Sequence, residues 1–471
     1  MPGKYDYDVL VIGLGPAGMA VSAMGSAMGL NVAAVERHKI GGECLNYGCI
    51  PSKALLKTAK VRGMFNCLED FGLCKIDQPV ELKNPMERMR DVVKFVNEEK
   101  TGPMFDKVKL YLGQGDASFV DDHTLEVGGQ RLTAKYIFIA TGTSPAIPPI
   151  PGLADVPYLT NSNIWSIDQP PESMTIIGGG AIGTEMAQTF SRFGSKISVV
   201  HMDPHLVPAG DPEAAQMIEE KLVSEGVTVH NGASITGVSK DGDEITVKTA
   251  DGAEYRSKEL LVAAGRKVEL EGLKLDKAGI EYGKQGITVD KHLRTGKKNV
   301  YAIGDCNGHY LLTHAAMHQG MIALMNTMMP GPFKMDFRKY VVPWTVFTDP
   351  EISQVGATEK ELRKKGVKYE VIRTEYEDYG RTVADGTPEG FIKALASKTG
   401  RIYGVTIVGE GAGEMVHEFA FAIQEKKRLH NIMFLQHSFP TFSFMNKRTA
   451  ETWMMERMKS PWLKRLVKAM V

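Results

Sequence analysis

The chain contains the same strand, glycine-rich loop and helix twice, and this repeat limits the possible folds more than any other feature. The first copy is an apolar strand at residues 8–12, the loop Gly-Leu-Gly-Pro-Ala-Gly and a helix rich in Ala and Met. The second is an apolar strand at 174–177, the loop Gly-Gly-Gly-Ala-Ile-Gly and another helix. Glycines at these positions allow a tight turn and let a pyrophosphate approach the backbone. Each copy therefore predicts a unit that binds a dinucleotide.

The two copies differ at the end of their second strand, where an acid that binds the ribose hydroxyls is expected roughly 20 residues after the glycines. The first copy has Glu36 there, followed by Arg37, whereas the second has His201. An imidazole is neither the acid suited to NAD nor the arginine suited to NADP, so the choice between these cofactors stays open. We predict weak discrimination, with a preference for NADPH that grows as pH falls through about 6.5 and His201 gains a proton. The predicted nucleotide-binding residues of the two loops are Gly13, Gly15, Pro16, Ala17, Gly18, Gly178, Gly180, Ala181, Ile182 and Gly183.

The composition is that of a protein with several globular domains. Its 471 residues are enough for about three domains, and 43% hydrophobic residues suit a sizeable core. Lys plus Arg equals Asp plus Glu at 56 each, which argues against nucleic acid as a partner. No apolar run reaches the ~18 residues of a membrane-spanning helix, and the first strand is too short for the core of a signal peptide. Five cysteines suit a catalytic pair in a reducing compartment, so we predict a cytoplasmic protein.

A short stretch near the N-terminus, residues 41–53, holds two of the five cysteines. Cys44 and Cys49 are separated by four residues, and Gly41 and Gly42 precede them. A disulfide needs Cα atoms about 4.4–6.8 Å apart, so the backbone here must be distorted, which glycine permits. A tight loop of this kind predicts a strained disulfide that is easily reduced. Two buried, inert cysteines are the alternative, and the rest of the chain argues against it.

The stretch Gly-Gly-Glu-Cys-Leu-Asn-Tyr-Gly-Cys-Ile-Pro-Ser-Lys resembles the redox segment of the class I pyridine nucleotide-disulfide oxidoreductases, and similar motifs follow it in the family's order. This is the flavoprotein family of dihydrolipoamide dehydrogenase, glutathione reductase and mercuric reductase. The resemblance implies bound FAD, with NAD or NADP as the second cofactor. No metal site is predicted, because Cys67 and Cys74 are interpreted as packing residues and not as ligands. The resemblance implies that Cys49 lies against the flavin and that Cys44 meets the substrate. It also implies that Lys53 pairs with Glu185. The further cofactor-binding residues it implies are Gly42, Lys53, Ala117, Ala140, Thr141, Gly142, Glu185, Gly265, Arg266, Gly304 and Asp305.

The resemblance also implies the architecture, which is α/β with two Rossmann-like domains, for FAD and NAD(P), and a C-terminal α+β dimerisation domain. The FAD domain is predicted at 1–150 and 275–340, because the NAD(P) domain at 151–274 is inserted into it. The dimerisation domain is predicted at 341–445 and a basic amphipathic extension at 446–471. We expect a homodimer.

The family pattern fails near the C-terminus, where members that reduce disulfides carry a histidine before a proline and a glutamate shortly after it. Here Phe439 and Phe444 occupy those positions, and neither can transfer a proton. His437 could replace the missing histidine only if its loop were shifted. Ala181 is a second departure, since glutathione reductase-like members have a bulky tyrosine there. We therefore predict a dihydrolipoamide dehydrogenase-like oxidoreductase that passes electrons to a disulfide or another acceptor at an altered site.

Two other functions remain open. In the first, the flavin passes electrons to a quinone or a metal ion, and the protein lies at a membrane surface. In the second, the chain is a non-catalytic redox-sensing module. Loss of the proton-transfer pair favours this module, whereas the complete cofactor motifs and both cysteines argue against it.

The C-terminal segment after Pro461 has apolar residues at helical spacing opposite basic ones. This pattern predicts an interfacial helix that contacts a membrane surface or a partner protein. A terminal helix packed on the dimer is the alternative. The apolar residues are Trp462, Leu463, Leu466, Val467 and Met470, and the basic residues are Lys464, Arg465 and Lys468.

Overall fold

The computed structural model describes residues 4–76, 78 and 80–470, without the side chains of Trp462, Leu463 and Leu466. The first glycine unit forms the centre of a sheet. Its parallel strands occur in the order Lys109–Leu112, Val32–Glu36, Tyr7–Ile12, Gln130–Ile139 and Val300–Ala302. Antiparallel strands Thr124–Val127 and Ala117–Phe119 extend it. The helices of this domain are Pro16–Ala27, Gly42–Tyr47, Cys49–Met64, Pro85–Phe95 and Thr313–Met328, with a π-helical turn at Val96–Thr101.

One strand of this sheet comes from a distant part of the sequence. Val300–Ala302 pairs with Gln130–Ile139 although the whole second glycine unit lies between them. The first domain is therefore built from two separate parts of the chain. Two short hairpin strands, Tyr282–Gly283 and Gly286–Ile287, precede Val300.

The second glycine unit forms its own parallel sheet, ordered Thr228–His230, Lys196–Val200, Ser173–Ile177 and Glu259–Val262. Its helices are Ala181–Arg192 and Pro212–Ser224, and an antiparallel sheet of Ile235–Asp241, Glu244–Thr249 and Glu254–Ser257 packs beside it. The strands Thr143–Pro145 and Arg266–Val268 pair antiparallel. The chain leaves the first domain along one of these strands and returns to it along the other. Both connections between the two domains therefore run through one antiparallel pair of strands.

The C-terminal domain is a five-stranded antiparallel sheet covered by helices. The strand order is Trp344–Val346, Glu351–Gly356, Ile402–Gly409, Phe391–Ala396 and Glu370–Glu375. The helices are Glu359–Lys364, Gly380–Ala384, Ala412–Gln424, Leu429–Phe434, Phe444–Met458 and Pro461–Met470.

The boundary predicted at residue 446 is wrong. The helix Phe444–Met458 buries Asn446, Thr449, Ala450 and Trp453 against the C-terminal domain. Its inner face is thus part of that domain's core, and only Pro461–Met470 projects as an extension. Among the described residues, no helix combines the length and the hydrophobicity needed to cross a membrane.

Candidate functional site

The first glycine loop forms an open cradle at the start of the helix Pro16–Ala27. Gly13 has φ +93°, and a Cβ there would lie 2.5 Å from the carbonyl oxygen of Ala140. A Cβ on Gly15, by contrast, would meet nothing within 4 Å, which leaves the space over the helix N-terminus free. Backbone N–H groups at a helix N-terminus attract phosphate. The loop therefore fits the pyrophosphate of FAD.

Glu36 fixes one wall of this cradle. Its carboxylate accepts hydrogen bonds from the backbone N–H of Leu14 at 2.7 Å and of His38 at 2.8 Å, and the side chain is buried. Arg37 points away and pairs with Asp116 at the surface at 3.4 Å. Glu36 therefore lies where the adenosine ribose of FAD is expected, whereas Arg37 is at the rim.

Polar groups on the opposite side of the cradle suit the hydroxyl-bearing chain of a flavin. Thr143 Oγ1 donates to Asp305 Oδ2 at 3.1 Å, and Arg266 Nε lies 4.0 Å from the same oxygen. Burial raises the pKa of Asp305, and the charge of Arg266 offsets part of this effect. The hydroxyl of Thr141 is buried and has no hydrogen-bond partner among the described residues. These groups can accept and donate to a polyol, so the residues present fit FAD.

The redox segment is pressed against the same loop. Gly42 has φ +52°, and a Cβ there would lie 2.7 Å from Gly15 Cα, so only glycine allows this approach. Cys44 lies within the helix Gly42–Tyr47, and Cys49 is the first residue of the helix Cys49–Met64, which follows after Gly48. Both are free thiols, and they are close enough for each to shift the pKa of the other. Their disulfide stays a prediction, and the structure shows the reduced pair beside the FAD cradle.

The two thiols differ in acidity. The hydrogen bond from Cys44 lowers the pKa of Cys49 most, and Thr313 and the charge of Lys53 add to it against the effect of burial, which leaves that pKa at about 6. Thr313 Oγ1 lies 3.2 Å from Cys49 Sγ. The pKa of Cys44 is raised by the same shared proton and by burial. The reduced pair therefore holds its negative charge on Cys49 at neutral pH.

Lys53 and Glu185 form an ion pair that links the three domains. Lys53 Nζ donates to both carboxylate oxygens of Glu185, at 3.0 and 2.9 Å. Glu185 is only 4% exposed and also accepts from the backbone N–H of Phe347 at 2.9 Å. The ammonium group of Lys53 lies 4.4 Å from the centre of the Phe347 ring. This arrangement orients the ammonium group beside Cys49.

Sequence reasoning missed a second link, formed by Glu43 next to the redox cysteine. Its carboxylate accepts from Arg266 Nη2 and from Asn161 Nδ2. Arg266 also donates from Nε to Thr143 Oγ1 at 2.7 Å. The redox segment is thereby tied to the pair of strands between the domains. Glu43 lies within the redox segment and Thr313 lies outside every motif singled out above, but the role of each depends on a partner far away in sequence.

His201 occupies in the second unit the place of Glu36 in the first. Its Nδ1 accepts a hydrogen bond from the backbone N–H of Gly179 at 2.9 Å, and the residue is 5% exposed. Burial lowers the pKa of His201, and the nearby carboxylate of Asp203 offsets only part of this. The ring is therefore neutral, with a bare Nδ1. The growth of NADPH preference as pH falls through about 6.5 stays a prediction, but this bond argues against it, because a proton on Nδ1 would break the hydrogen bond from Gly179.

His437 cannot serve as the missing proton-transfer histidine in this arrangement. Its Nε2 contacts the carboxylate of Glu418 at 3.1 Å, its Nδ1 contacts the carbonyl oxygen of Leu435 at 3.2 Å, and its side chain is 6% exposed. Phe439 is 72% exposed, and its ring meets that of Phe444 edge-on at 5.3 Å. The structure thus places an aromatic surface where the family has its histidine and glutamate.

The remaining predicted residues lie where their motifs place them. Gly178 and Gly265 have φ of +113° and +121°, at the loop and at the exit of the second domain. The others lie in these elements: Pro16, Ala17 and Gly18 begin the helix Pro16–Ala27, Ala117 begins the strand Ala117–Phe119, Ala140 and Gly142 follow the strand Gln130–Ile139, Gly180, Ala181, Ile182 and Gly183 are at the start of the helix Ala181–Arg192, and Gly304 begins the turn Gly304–Asn307. Their contacts with the cofactors stay predictions. One cluster of carboxylates among the described residues, Asp211, Glu213 and Glu359, is filled by the ammonium group of Lys393, which lies 3.0 Å from Asp211 and 2.6 Å from Glu359.

A FAD cradle, a second dinucleotide unit and a dithiol beside a buried ion pair define a flavin- and nicotinamide-dependent oxidoreductase. The chain belongs to the pyridine nucleotide-disulphide oxidoreductases, whose family model matches residues 7–320 and whose dimerisation-domain model matches residues 342–449. It is therefore an NAD(P)H-dependent flavoprotein disulfide oxidoreductase that uses FAD. The predicted family, fold class, enzyme class and cofactors are confirmed, and the dimerisation domain supports a homodimer.

Similar proteins include both disulfide and metal-ion reductases by name. The chain is 32% identical to a mercuric reductase of Bacillus cereus, over 90% of this chain and 67% of that protein. It is 35% identical to a dihydrolipoyl dehydrogenase of Thermus scotoductus, over 93% of this chain and 95% of that protein. Among solved structures, the Cu(II) complex of the HOCl-induced flavoprotein disulfide reductase RclA from Escherichia coli matches with a TM-score of 0.83 and 25% identity, over 93% of this chain and 98% of that one.

Proposed function

We propose that this enzyme uses NAD(P)H to reduce a thiophilic metal ion, such as Cu(II) or Hg(II), at the Cys44–Cys49 pair. The observation that carries the proposal is an intact dithiol without a proton relay. Cys49 is acidified by Cys44 and Thr313, while phenylalanines stand at both relay positions. His437, which lies two residues before Phe439, has both ring nitrogens engaged.

The candidate electron acceptors differ in whether their reduction requires a proton. A disulfide releases a thiolate that must be protonated, and a positioned acid contributes about 10²–10⁴-fold to such a step. A metal ion takes up electrons alone. When the Cys44–Cys49 S–S bond forms, the thiol–thiolate pair passes two electrons to the metal and releases its one remaining thiol proton to solvent, and two Cu(II) become two Cu(I) or one Hg(II) becomes Hg(0).

The reductive half of the cycle restores the dithiol. FAD, held by the cradle around Gly13, Gly15 and Glu36, would supply the two-electron chemistry that connects NAD(P)H to the disulfide. The protein holds Cys49 next to the cradle through the approach of Gly42 to Gly15, and Lys53 stabilises the thiolate that forms. None of these residues depends on the missing histidine.

The comparisons support the same acceptor class. Several similar proteins are named mercuric reductase, including one of Staphylococcus aureus at 31% identity over 89% of this chain. The RclA structure was solved with Cu(II). Thiolates are the ligands that select soft metal ions, so a free pair of thiols beside the FAD cradle suits such a substrate.

We expect Cu(II) or Hg(II) to sustain NAD(P)H oxidation at least about tenfold faster than lipoamide or glutathione disulfide. Reduction of a disulfide needs a proton donor that this site lacks, whereas reduction of a metal ion needs none. The measurement is the loss of NAD(P)H absorbance under anaerobic conditions, with Cu(I) trapped by a Cu(I)-specific chelator. Rapid mixing without any acceptor is the control, and reduction of the enzyme by NAD(P)H should be fast.

Efficient lipoamide or glutathione-disulfide turnover by the wild type contradicts the proposal. Quinones belong in the same assay, because a quinone can take electrons from the flavin directly. Quinone turnover that exceeds metal-ion turnover and survives Cys44→Ser would assign the quinone function instead.

We also propose that the protein is cytoplasmic and that the terminal helix Pro461–Met470 contacts an anionic membrane surface. Lys464, Arg465 and Lys468 are exposed, and so are the apolar Val467 and Met470. The predicted apolar partners Trp462, Leu463 and Leu466 have side chains outside the described part of the chain. Basic side chains near an anionic surface contribute about 1 kcal/mol each.

We expect the full chain to sediment with vesicles that contain phosphatidylserine and to lose most of this binding in Lys464→Glu with Lys468→Glu. A neutral phosphatidylcholine vesicle is the control for charge, and Lys426→Glu with Lys427→Glu is the control for total protein charge. Binding that is equal for both vesicle types, or unchanged by the tail substitutions, argues against a membrane contact through this helix.

A further inference from the structure

The second dinucleotide unit lacks an acid at the end of its second strand but has one two residues later. His201 ends the strand region, and Asp203 follows in the loop. Asp203 Oδ2 lies 3.5 Å from His201 Nε2, and the Asp203 side chain is 46% exposed. The carboxylate therefore stands between a buried ring and solvent at the edge of the nucleotide cradle.

The imidazole performs one of the two tasks of the acid it replaces. In the first unit, Glu36 accepts from the N–H of Leu14 at the middle of the glycine loop. In the second, His201 Nδ1 accepts from the equivalent N–H of Gly179. A neutral ring in this orientation carries its proton on Nε2, which is buried and makes no hydrogen bond within the described protein. Nε2 can thus donate to a ligand, but it cannot accept from a ribose hydroxyl.

Asp203 supplies the missing acceptor and the missing charge. Its backbone carbonyl accepts from the N–H of Gly232 at 2.9 Å, and the carbonyl of His201 accepts from Ala233 at 2.8 Å, so the next loop holds both residues in place. A ribose 2′-hydroxyl between them could accept from His201 Nε2 and donate to Asp203. Every hydrogen-bonding group would then be satisfied.

A 2′-phosphate at the same point would meet a carboxylate without a compensating lysine or arginine from the same segment. Residues 201–210 include neither Lys nor Arg. The ring of His205 is engaged through Nδ1 with the carbonyl of Leu206 at 2.8 Å. The phosphate dianion would be repelled by Asp203, and the buried Nε2 would be its only donor on this segment.

We propose that Asp203 is the specificity-determining residue that makes this enzyme select NADH over NADPH, with His201 as its positioning partner. The proposal concerns the electron donor and is independent of which acceptor the enzyme uses. It replaces the weak discrimination expected from His201 alone with a clear preference.

The test is calorimetric binding of two cofactor fragments to the FAD-loaded dimer, ADP-ribose and 2′-phospho-ADP-ribose. We expect the wild type to bind ADP-ribose roughly 10–100-fold more tightly, a ratio that shrinks as salt screens the half-exposed charge. Asp203→Asn keeps the shape and removes the charge. This variant should lower the affinity ratio at least about tenfold, because it should bind 2′-phospho-ADP-ribose more tightly and ADP-ribose more weakly than the wild type does.

Glu220→Gln is the matched control, because Glu220 is exposed on the helix Pro212–Ser224 of the same domain and changes net charge equally. It should leave the ratio unchanged. Equal binding of the two fragments by the wild type overturns the proposal. So does a ratio that Asp203→Asn leaves unaltered while the variant still binds ADP-ribose. His201→Ala, which frees Gly179 and Asp203 together, should weaken both fragments.

Discussion

Cys44→Ser is expected to abolish metal-ion reduction, by more than about a thousandfold, while reduction of the enzyme by NAD(P)H stays fast. Removal of a group that bonds directly to the substrate has effects of this size. Cys49 remains as a single thiolate beside the FAD cradle in this variant, but one thiol cannot form the S–S bond that delivers the second electron. Steady-state oxidation of NAD(P)H with Cu(II) or Hg(II) measures the loss, and rapid mixing measures the surviving half-reaction.

The optical signature should separate the two cysteines. A thiolate against oxidised FAD gives long-wavelength absorbance, which Cys44→Ser should retain and Cys49→Ser should lose. Because the pKa of Cys49 is lowered to about 6, the band of the two-electron-reduced wild type should be present above that pH and fade below it as Cys49 is protonated. In Cys44→Ser the midpoint should move upwards, since a serine hydroxyl is a weaker acid than a thiol and stabilises the thiolate less.

Cys74→Ser is the control for general thiol loss, because Cys74 is exposed and distant in sequence from the redox segment. It should keep both turnover and absorbance. Metal-ion turnover that persists in Cys44→Ser would show that electrons leave by a route other than the dithiol. Absence of the band in the reduced wild type, with FAD bound, would contradict the assignment of Cys49 as the thiolate next to the flavin.

Phe439→His with Phe444→Glu should create disulfide turnover, by at least about tenfold and at most the 10²–10⁴-fold that a positioned proton donor contributes. The Phe439 ring is largely exposed, so a smaller imidazole fits without repacking. Phe444 stacks on Tyr379 at 5.9 Å between ring centres, and its replacement will loosen this contact. Lipoamide and glutathione-disulfide turnover should rise, whereas metal-ion turnover should stay level or fall.

The matched control is Phe439→Asn with Phe444→Gln, which introduces side chains of similar size and polarity that transfer no proton. An equal gain in this control would mean that polarity at the aromatic surface, and not proton transfer, limits disulfide reduction. A double variant that binds FAD and is reduced normally but gains nothing would show that the acceptor site excludes disulfides by shape.

Several features of the site follow from residues that are close together in sequence. The glycine loops could be predicted because a strand, a turn of positive φ and a helix N-terminus are set by neighbouring residues, as at Gly13 and Gly178. The redox segment could be recognised because its glycines and cysteines form one short pattern. The pair of Lys53 with Glu185 was implied only by the family resemblance, since no local pattern connects two residues in different domains.

Other features depended on contacts between distant segments. Thr313 approaches Cys49, Glu43 meets Arg266, and His437 is held by Glu418. The environment of His201 could not be predicted for the same reason, because its spacing in the sequence carries no information about burial or about the N–H of Gly179. Most of the helix Phe444–Met458 was predicted to belong to a C-terminal extension, whereas its inner face packs in the core of the C-terminal domain.

The sequence alone was therefore enough to specify the cofactor-binding units, the dithiol and the absence of the family's histidine and glutamate, because these depend on residue identity and on backbone geometry within a few residues. The protonation of Cys49, the neutrality of His201 and the role open to Asp203 became visible only in three dimensions. Desolvation and hydrogen bonding act over a few ångströms in space, and the groups that supply them come from strands and helices that the chain brings together only on folding.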